Sequence, residues 1–223
     1  MAQPQQPFDL QIDIVSDVVC PWCVIGYLQL RRGLANIDLP IEPRLRWRPF
    51  ELNPDMPAEG QDLREHIAQK YGPGSGGGMR GRLVELGESL GFRFDYHEGM
   101  RMVNTFHAHQ LLHWAGEQDG EEDQTALKLA LFEAFFSRRE DVSDREQLLT
   151  ITARAGLDTD VAAGILERQT YAETVRAEQR QWREREVHSV PMFFFQGQYM
   201  VPGAQDATTF ERVLRRIYER AAA

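Results

Sequence analysis

The chain has 223 residues, 42% of them hydrophobic and 26% charged, with a formal net charge of −9. That composition is globular, with enough apolar mass for a core that needs no disulfide staples. The acidic balance argues against nucleic-acid phosphate as a partner. No stretch approaches the roughly 18 apolar residues of a membrane span.

In chain order, the start "MAQPQQPFDLQIDIV" has no basic n-region and no long apolar run, so it does not read as a secretory leader and the protein is expected to stay in the cytoplasm. Phe8 to Val15 alternates and then runs apolar, which predicts a strand. A helix follows from Pro21, with Val24, Ile25, Leu28 and Leu34 on its apolar face. Arg44 to Leu52 alternates basic and apolar residues and predicts a second strand. Strand, helix, strand at this spacing is a βαβ unit with parallel pairing and a right-handed crossover.

Between Gly60 and Glu186 the pattern is helical almost throughout. "QDLREHIAQKYG" stops at Gly72 and Pro73, and "GPGSGGG" after it is expected to be mobile. Further helices are predicted at Met79–Leu90, Thr105–Trp114 and over "QTALKLALFEAFFSRR". Ser143 and Glu146 form a capping-box pattern before a helix closed by Gly156. Val161–Arg168 and Tyr171–Glu186 complete the block, the last with Val175 and Trp182 on one face.

Strands then return. "VPMFFFQGQYMV" is a hairpin with Gly197 at its turn. Phe210, Val213, Leu214, Ile217 and Tyr218 make one face of a final helix, with Thr208 and Glu211 as its capping pattern. A two-stranded unit cannot bury both faces of its sheet, so the ends of the chain are expected to share one mixed sheet. The boundaries are 1–58 and 187–223 for that discontinuous domain and 59–186 for the helical insert.

The chain's only two cysteines form the motif Cys20-Pro21-Trp22-Cys23. As a staple the pair closes almost the smallest loop possible, and the stabilisation from a disulfide grows with loop length. Zinc needs four ligands, so His107, His109 and His113 would have to complete such a site; the reading adopted here holds no metal. Redox chemistry suits every residue. Cys20 follows a strand and begins a helix, where unpaired N–H groups and the helix dipole favour a thiolate. Cys23, one turn on, is placed to break a mixed disulfide by intramolecular attack. Pro21 starts the helix without wasting a donor. Trp22 supplies an apolar surface for substrate or simply packs. Downstream, "SVPMFFF" sets Pro191 at the first residue of a strand. A cis Val190–Pro191 bond there would present the Val190 backbone to a substrate beside Cys20.

The motif CPWC after a strand, the helical insertion and "SVPMFFF" before a closing hairpin and helix resemble a thioredoxin-fold oxidoreductase of the DsbA-like family. "DIVSDVVCPWCVIG", "WRPFELNPDMP", "VPGAQ" and "TFERVL" resemble its FrnE-like subgroup. The resemblance implies a thioredoxin fold with an inserted helical domain, Cys20 as nucleophile, Cys23 as resolving cysteine and Pro191 as cis-proline. Its partners would be thiol- or disulfide-containing proteins or small thiols. No bound cofactor is implied beyond the redox-active disulfide, with glutathione as a possible co-substrate. Family members often carry glycine before the Val-Pro pair; here it is Ser189, after His188. A sister group of similar fold contains glutathione-dependent isomerases of aromatic metabolites, such as 2-hydroxychromene-2-carboxylate isomerase. In that alternative Asn53 and Asn104 would contact glutathione or substrate, although Asn104 also suits a helix N-cap. A third reading is a peptide-binding, chaperone-like module with Leu127, Leu131 and Phe135 in an apolar groove. Those three also have the spacing of ordinary core.

Overall fold

The computed structural model describes residues 7–72, 74, 76–117 and 121–221. The first strand, β1 (Phe8–Ser16), leads into α1 (Pro21–Asn36) and β2 (Ile41–Pro49). The chain returns to the sheet with β5 (Met192–Phe195) and β6 (Tyr199–Pro202) and ends in α9 (Ala207–Ala221). Strand order is β2-β1-β5-β6. The β1–β2 pair is parallel, and β5 and β6 are antiparallel to their neighbours. The two ends of the chain do build one mixed sheet.

β1 is central, which explains its run of buried residues from Ile12 to Ser16. β2 begins earlier and ends earlier than its alternation predicts. Pairing with β1 runs from Phe8↔Ile41 to Ser16↔Pro49, so the strand is as long as its partner. Beyond Pro49 the backbone turns away, and Leu52 N–H donates to Asp17 Oδ2 at 2.8 Å. In the β5–β6 hairpin, Gln196 and Gly197 both have positive φ, and Gln198 N–H donates to Phe195 O. That is the left-handed turn a tight hairpin favours.

Adjacent strand residues face opposite sides of a sheet. Phe193 meets Phe210 of α9, with ring centroids 5.0 Å apart, while Phe194 meets Trp182 at 5.1 Å. Both faces of β5 are therefore covered by helices. Phe210, Leu214 and Ile217 are the buried stripe of α9, as its periodicity predicts. Its cap differs: Asp206 Oδ1 accepts from Thr209 N–H, ahead of the predicted Thr208.

Between β2 and β5 lie α2 (Leu63–Tyr71), α3 (Gly76–Ser89), α4 (Phe106–Glu117), α5 (Glu121–Ser137), α6 (Arg145–Arg154), α7 (Thr159–Arg168) and α8 (Ala172–Glu184). One addition to the helical block is a two-residue ladder, β3 (Gln61–Asp62) with β4 (Arg101–Met102). Two residues carry no readable alternation, so it left no periodic signal. The cap of α6 is Asp144, which accepts from Gln147 N–H, while Ser143 bonds Asp141 instead. An aspartate one position later offered the stronger acceptor. The glycine-rich segment falls partly outside the described residues, at 73 and 75; α3 already begins at Gly76. The first six residues of the segment read for a leader are also outside them. Among the described residues, no helix is long and apolar enough to cross a membrane.

The helical block grips the sheet through Gln124. Its Oε1 accepts from Trp47 N–H at 2.8 Å, and its Nε2 donates to Trp47 O at 3.0 Å and Leu112 O at 3.1 Å. A buried side chain thus satisfies the outer edge of β2 where another strand would otherwise pair. Replacing Gln124 with Met leaves a buried N–H and C=O without partners. The expected loss is about 2–4 kcal/mol, read as a shift of the urea midpoint at unchanged slope.

Candidate active site

Cys20 ends the turn after β1 and is the N-cap residue of α1, with φ −95 and ψ 111. Its N–H donates to Asp17 O, and its own carbonyl accepts from Cys23 N–H at 3.1 Å, the first helical turn. Pro21 holds the first helical position, as predicted. No side chain caps this helix start, which leaves its free N–H groups and dipole acting on Cys20. Both thiols are free. Cys23 is wholly buried and Cys20 is 4% exposed. Burial pushes the Cys23 thiol well above its usual range, and its hydrogen bond to Cys20 pushes it further. Cys23, the inner sulfur, is thus reluctant to ionise.

The small exposure of Cys20 opens onto a cavity of about 320 Å³. Cys20, Pro21, Trp22, Asn53 and Val190 all line it, together with Ser189. Cys20 Sγ lies 3.6 Å from the Val190 carbonyl oxygen, across 170 residues of sequence. The Val190–Pro191 bond is cis. Gly26 lets α1 approach this segment: a Cβ there would sit 3.0 Å from Pro191 Cγ and 3.1 Å from Phe193 Cζ.

Asn104 is not brought to the cavity. Its Oδ1 accepts from Phe106 N–H at 2.9 Å, a local cap of the α4 entry, and its Nδ2 reaches Glu51 at 3.5 Å. The asparagine signal was that of a helix start, and the helix start used it. Leu127 and Leu131 are fully buried core, and only Phe135 of that trio reaches the cavity. His188 is exposed and is not among the lining residues. His113 pairs with Glu178 at 3.0 Å, and His109 lies 3.4 Å from Asp17. Among the described residues, no group of three or more His, Cys, Asp and Glu could hold a metal ion.

Beneath the cysteines lies a polar layer that sequence reasoning missed. Asp17 is 1% exposed and Lys128, from α5, is also 1% exposed. Lys128 Nζ stands 5.3 Å from the Trp47 ring centroid and 5.0 Å from that of Phe132, within cation–π range of both. Burial drives the lysine down to about 8, opposed by the neighbouring Cys23, Asp17 and Cys20. Burial also pushes Asp17 upward, but His109, the Leu52 N–H and Lys128 outweigh it, and the carboxyl ends below its usual value. The available signal was spacing: Gln124, Lys128 and Phe132 fall four apart on one face, and all three are buried.

The family model for the DSBA-like thioredoxin domain matches residues 11–215. YwbO of Bacillus subtilis (strain 168), itself an uncharacterized protein, is 26% identical over 207 residues, covering 92% of this chain and 96% of YwbO. Among solved structures, the probable DsbA oxidoreductase SCO1869 from Streptomyces coelicolor aligns with a TM-score of 0.86 at 28% identity. That alignment covers 94% of this chain and 90% of the other. A 2-hydroxychromene-2-carboxylate isomerase shares the fold, with a TM-score of 0.68 at 14% identity over 95% of this chain and 98% of its own.

Proposed function

This chain belongs to the DSBA-like thioredoxin domain family, and from that premise we propose that it is a thiol–disulfide oxidoreductase working through Cys20 and Cys23. The observation that carries the reading is the arrangement of Cys20: a thiol at a helix start, in a cavity wall, facing the Val190 carbonyl, with a second thiol behind it.

In the reductive direction the Cys20 thiolate attacks one sulfur of a substrate disulfide. The other sulfur leaves as a thiolate and takes up a proton. Cys23 then loses its proton and attacks Cys20 Sγ, releasing the second substrate thiol and closing Cys20–Cys23. Two electrons pass from the protein to the substrate. Glutathione or another thiol would regenerate the pair, and the same steps run backwards in an oxidase. A reducing cytoplasm, our proposed location, would hold the pair as thiols and favour reduction or isomerisation. The subgroup we assign is FrnE-like. The block 59–186 serves here as the cover of the reactive sulfur, since α2, α3 and α5 supply cavity wall. The test is insulin reduction by the protein with a thiol reductant, alongside the reduction potential of the couple. Catalysis of precipitation is expected; a rate equal to the uncatalysed one would overturn the reading.

One observation favours the glutathione-dependent isomerase as a second reading. Asn53 sits in the cavity wall with Cys20. A Cys20→Ser protein that turns over a small aromatic substrate with glutathione would establish it. The chaperone reading fares worse, because two of its three wall residues are sealed in the core. Holdase activity equal in wild type and a double Cys→Ser variant would revive it.

A further inference from the structure

The cavity beside Cys20 has a charge that the whole chain does not. The protein carries 34 acidic residues against 25 Lys and Arg. Yet none of the described residues lining this cavity is Asp or Glu, while Lys70 and Arg80 are both in its wall. Burial and Lys70 hold His66, also in the wall, below its usual value, so it adds no charge near neutrality.

Two polar atoms in this wall have no hydrogen-bond partner: Arg80 Nε and the Tyr96 hydroxyl. Both are buried atoms, and such groups are ordinarily paired. The Arg80 guanidinium stacks over the Tyr96 ring at 5.8 Å. The ring contact leaves Nε without an acceptor. Burial holds the Tyr96 hydroxyl protonated far beyond neutrality, so it remains a donor. The pair is thus two donors awaiting one acceptor. The rest of the wall is apolar, with Leu83, Met100, Met102 and Phe136. Tyr71 and Met79, 60% and 44% exposed, carry the apolar surface outward. A volume of about 320 Å³ suits a small molecule.

We propose that this cavity selects a small disulfide or thiol with an apolar body and an anionic group, and that Arg80 with Tyr96 receives the anion while Cys20 meets the sulfur. The proposal rests on the redox reading of Cys20 and adds the class of substrate. Low-dielectric walls of one charge sign concentrate such an anion against the protein's overall repulsion. The guanidinium and hydroxyl supply charge-assisted hydrogen bonds to it.

The experiment uses the reduced full chain and two chromogenic probes. Bis(carboxynitrophenyl) disulfide is aromatic and anionic; dipyridyl disulfide is aromatic and neutral at about pH 7. Each rate is divided by that of a free small thiol with the same probe. With either probe the Cys20 sulfur displaces one aryl thiolate, and Cys23 displaces the second. The wild type is expected to favour the anionic probe, and Arg80→Met to lower that anionic-to-neutral ratio about tenfold. Arg80→Lys should restore most of it, and Lys70→Met should lower it less. A merely structural role for Arg80 would move both rates together and leave the ratio alone, which would overturn the proposal. So would a wild-type ratio no greater than that of the free thiol. Failure of the redox reading itself looks different: Cys20→Ser would still react with both probes.

Discussion

A Cys23→Ser protein challenged with a disulfide substrate will accumulate as a covalent adduct on Cys20, while Cys20→Ser forms no adduct at all. The asymmetry follows from the buried geometry. Cys20 is the sulfur with access to the cavity, and Cys23 is wholly enclosed behind it. Without Cys23, escape from the mixed disulfide depends on an outside thiol at millimolar concentration instead of a sulfur held in place. Turnover should fall roughly 100- to 1,000-fold for that reason. Mass spectrometry of the trapped species reads the result directly. An adduct on Cys23 in the Cys20→Ser protein, formed as fast as on Cys20, would reverse the assigned roles.

The second large effect belongs to Lys128. Cys23 must surrender a proton before it can attack, and burial opposes that. A fully buried lysine brought down to about 8 is a base of suitable strength in the same layer, and as an ammonium it favours the Cys23 thiolate. Lys128→Met keeps the volume and removes both properties. The resolving step should slow about tenfold or more, and its pH profile should lose an inflection near 8. The first attack by Cys20 should change less. Unchanged resolution in the variant would remove Lys128 from the mechanism.

The same substitution has a signature in stability. The folded lysine titrates near 8 and the unfolded one near 10.5. Below 8 both states are protonated, and the folded state bears the whole cost of a buried ammonium. Between 8 and 10.5 the unfolded chain holds the proton that the folded chain has lost, so stability rises with pH. The gain from this group is on the order of 3 kcal/mol. Cys23 works against it above about 9, since its folded value is the raised one. The difference between the wild-type and Lys128→Met profiles isolates the lysine. Parallel profiles across that window would show that the amine is not desolvated as described.

Much of this site is legible in the sequence. Cys20, Pro21 and Cys23 are neighbours in sequence, and their chemistry depends on a helix start that Pro21 announces. The hairpin and α9 were legible because their apolar spacing repeats several times over. Where the prediction went astray, the competing signal was local and close by. Asp144 and Asp206 took the caps assigned to Ser143 and Thr208. β2 ended where its partner strand ended, since pairing length, not alternation, sets a strand's limit.

By itself, then, the order of residues determined the paired cysteines at a helix start, the helical middle and the two halves of a shared sheet, because each is written in short-range spacing. Only the folded chain decided that Asn53 would join Cys20 at the cavity while Asn104 stayed at its helix, and that Lys128 would lie in the layer below. These are meetings between segments tens to more than a hundred residues apart. Periodicity tells which face of a helix turns inward, but not what it will find there.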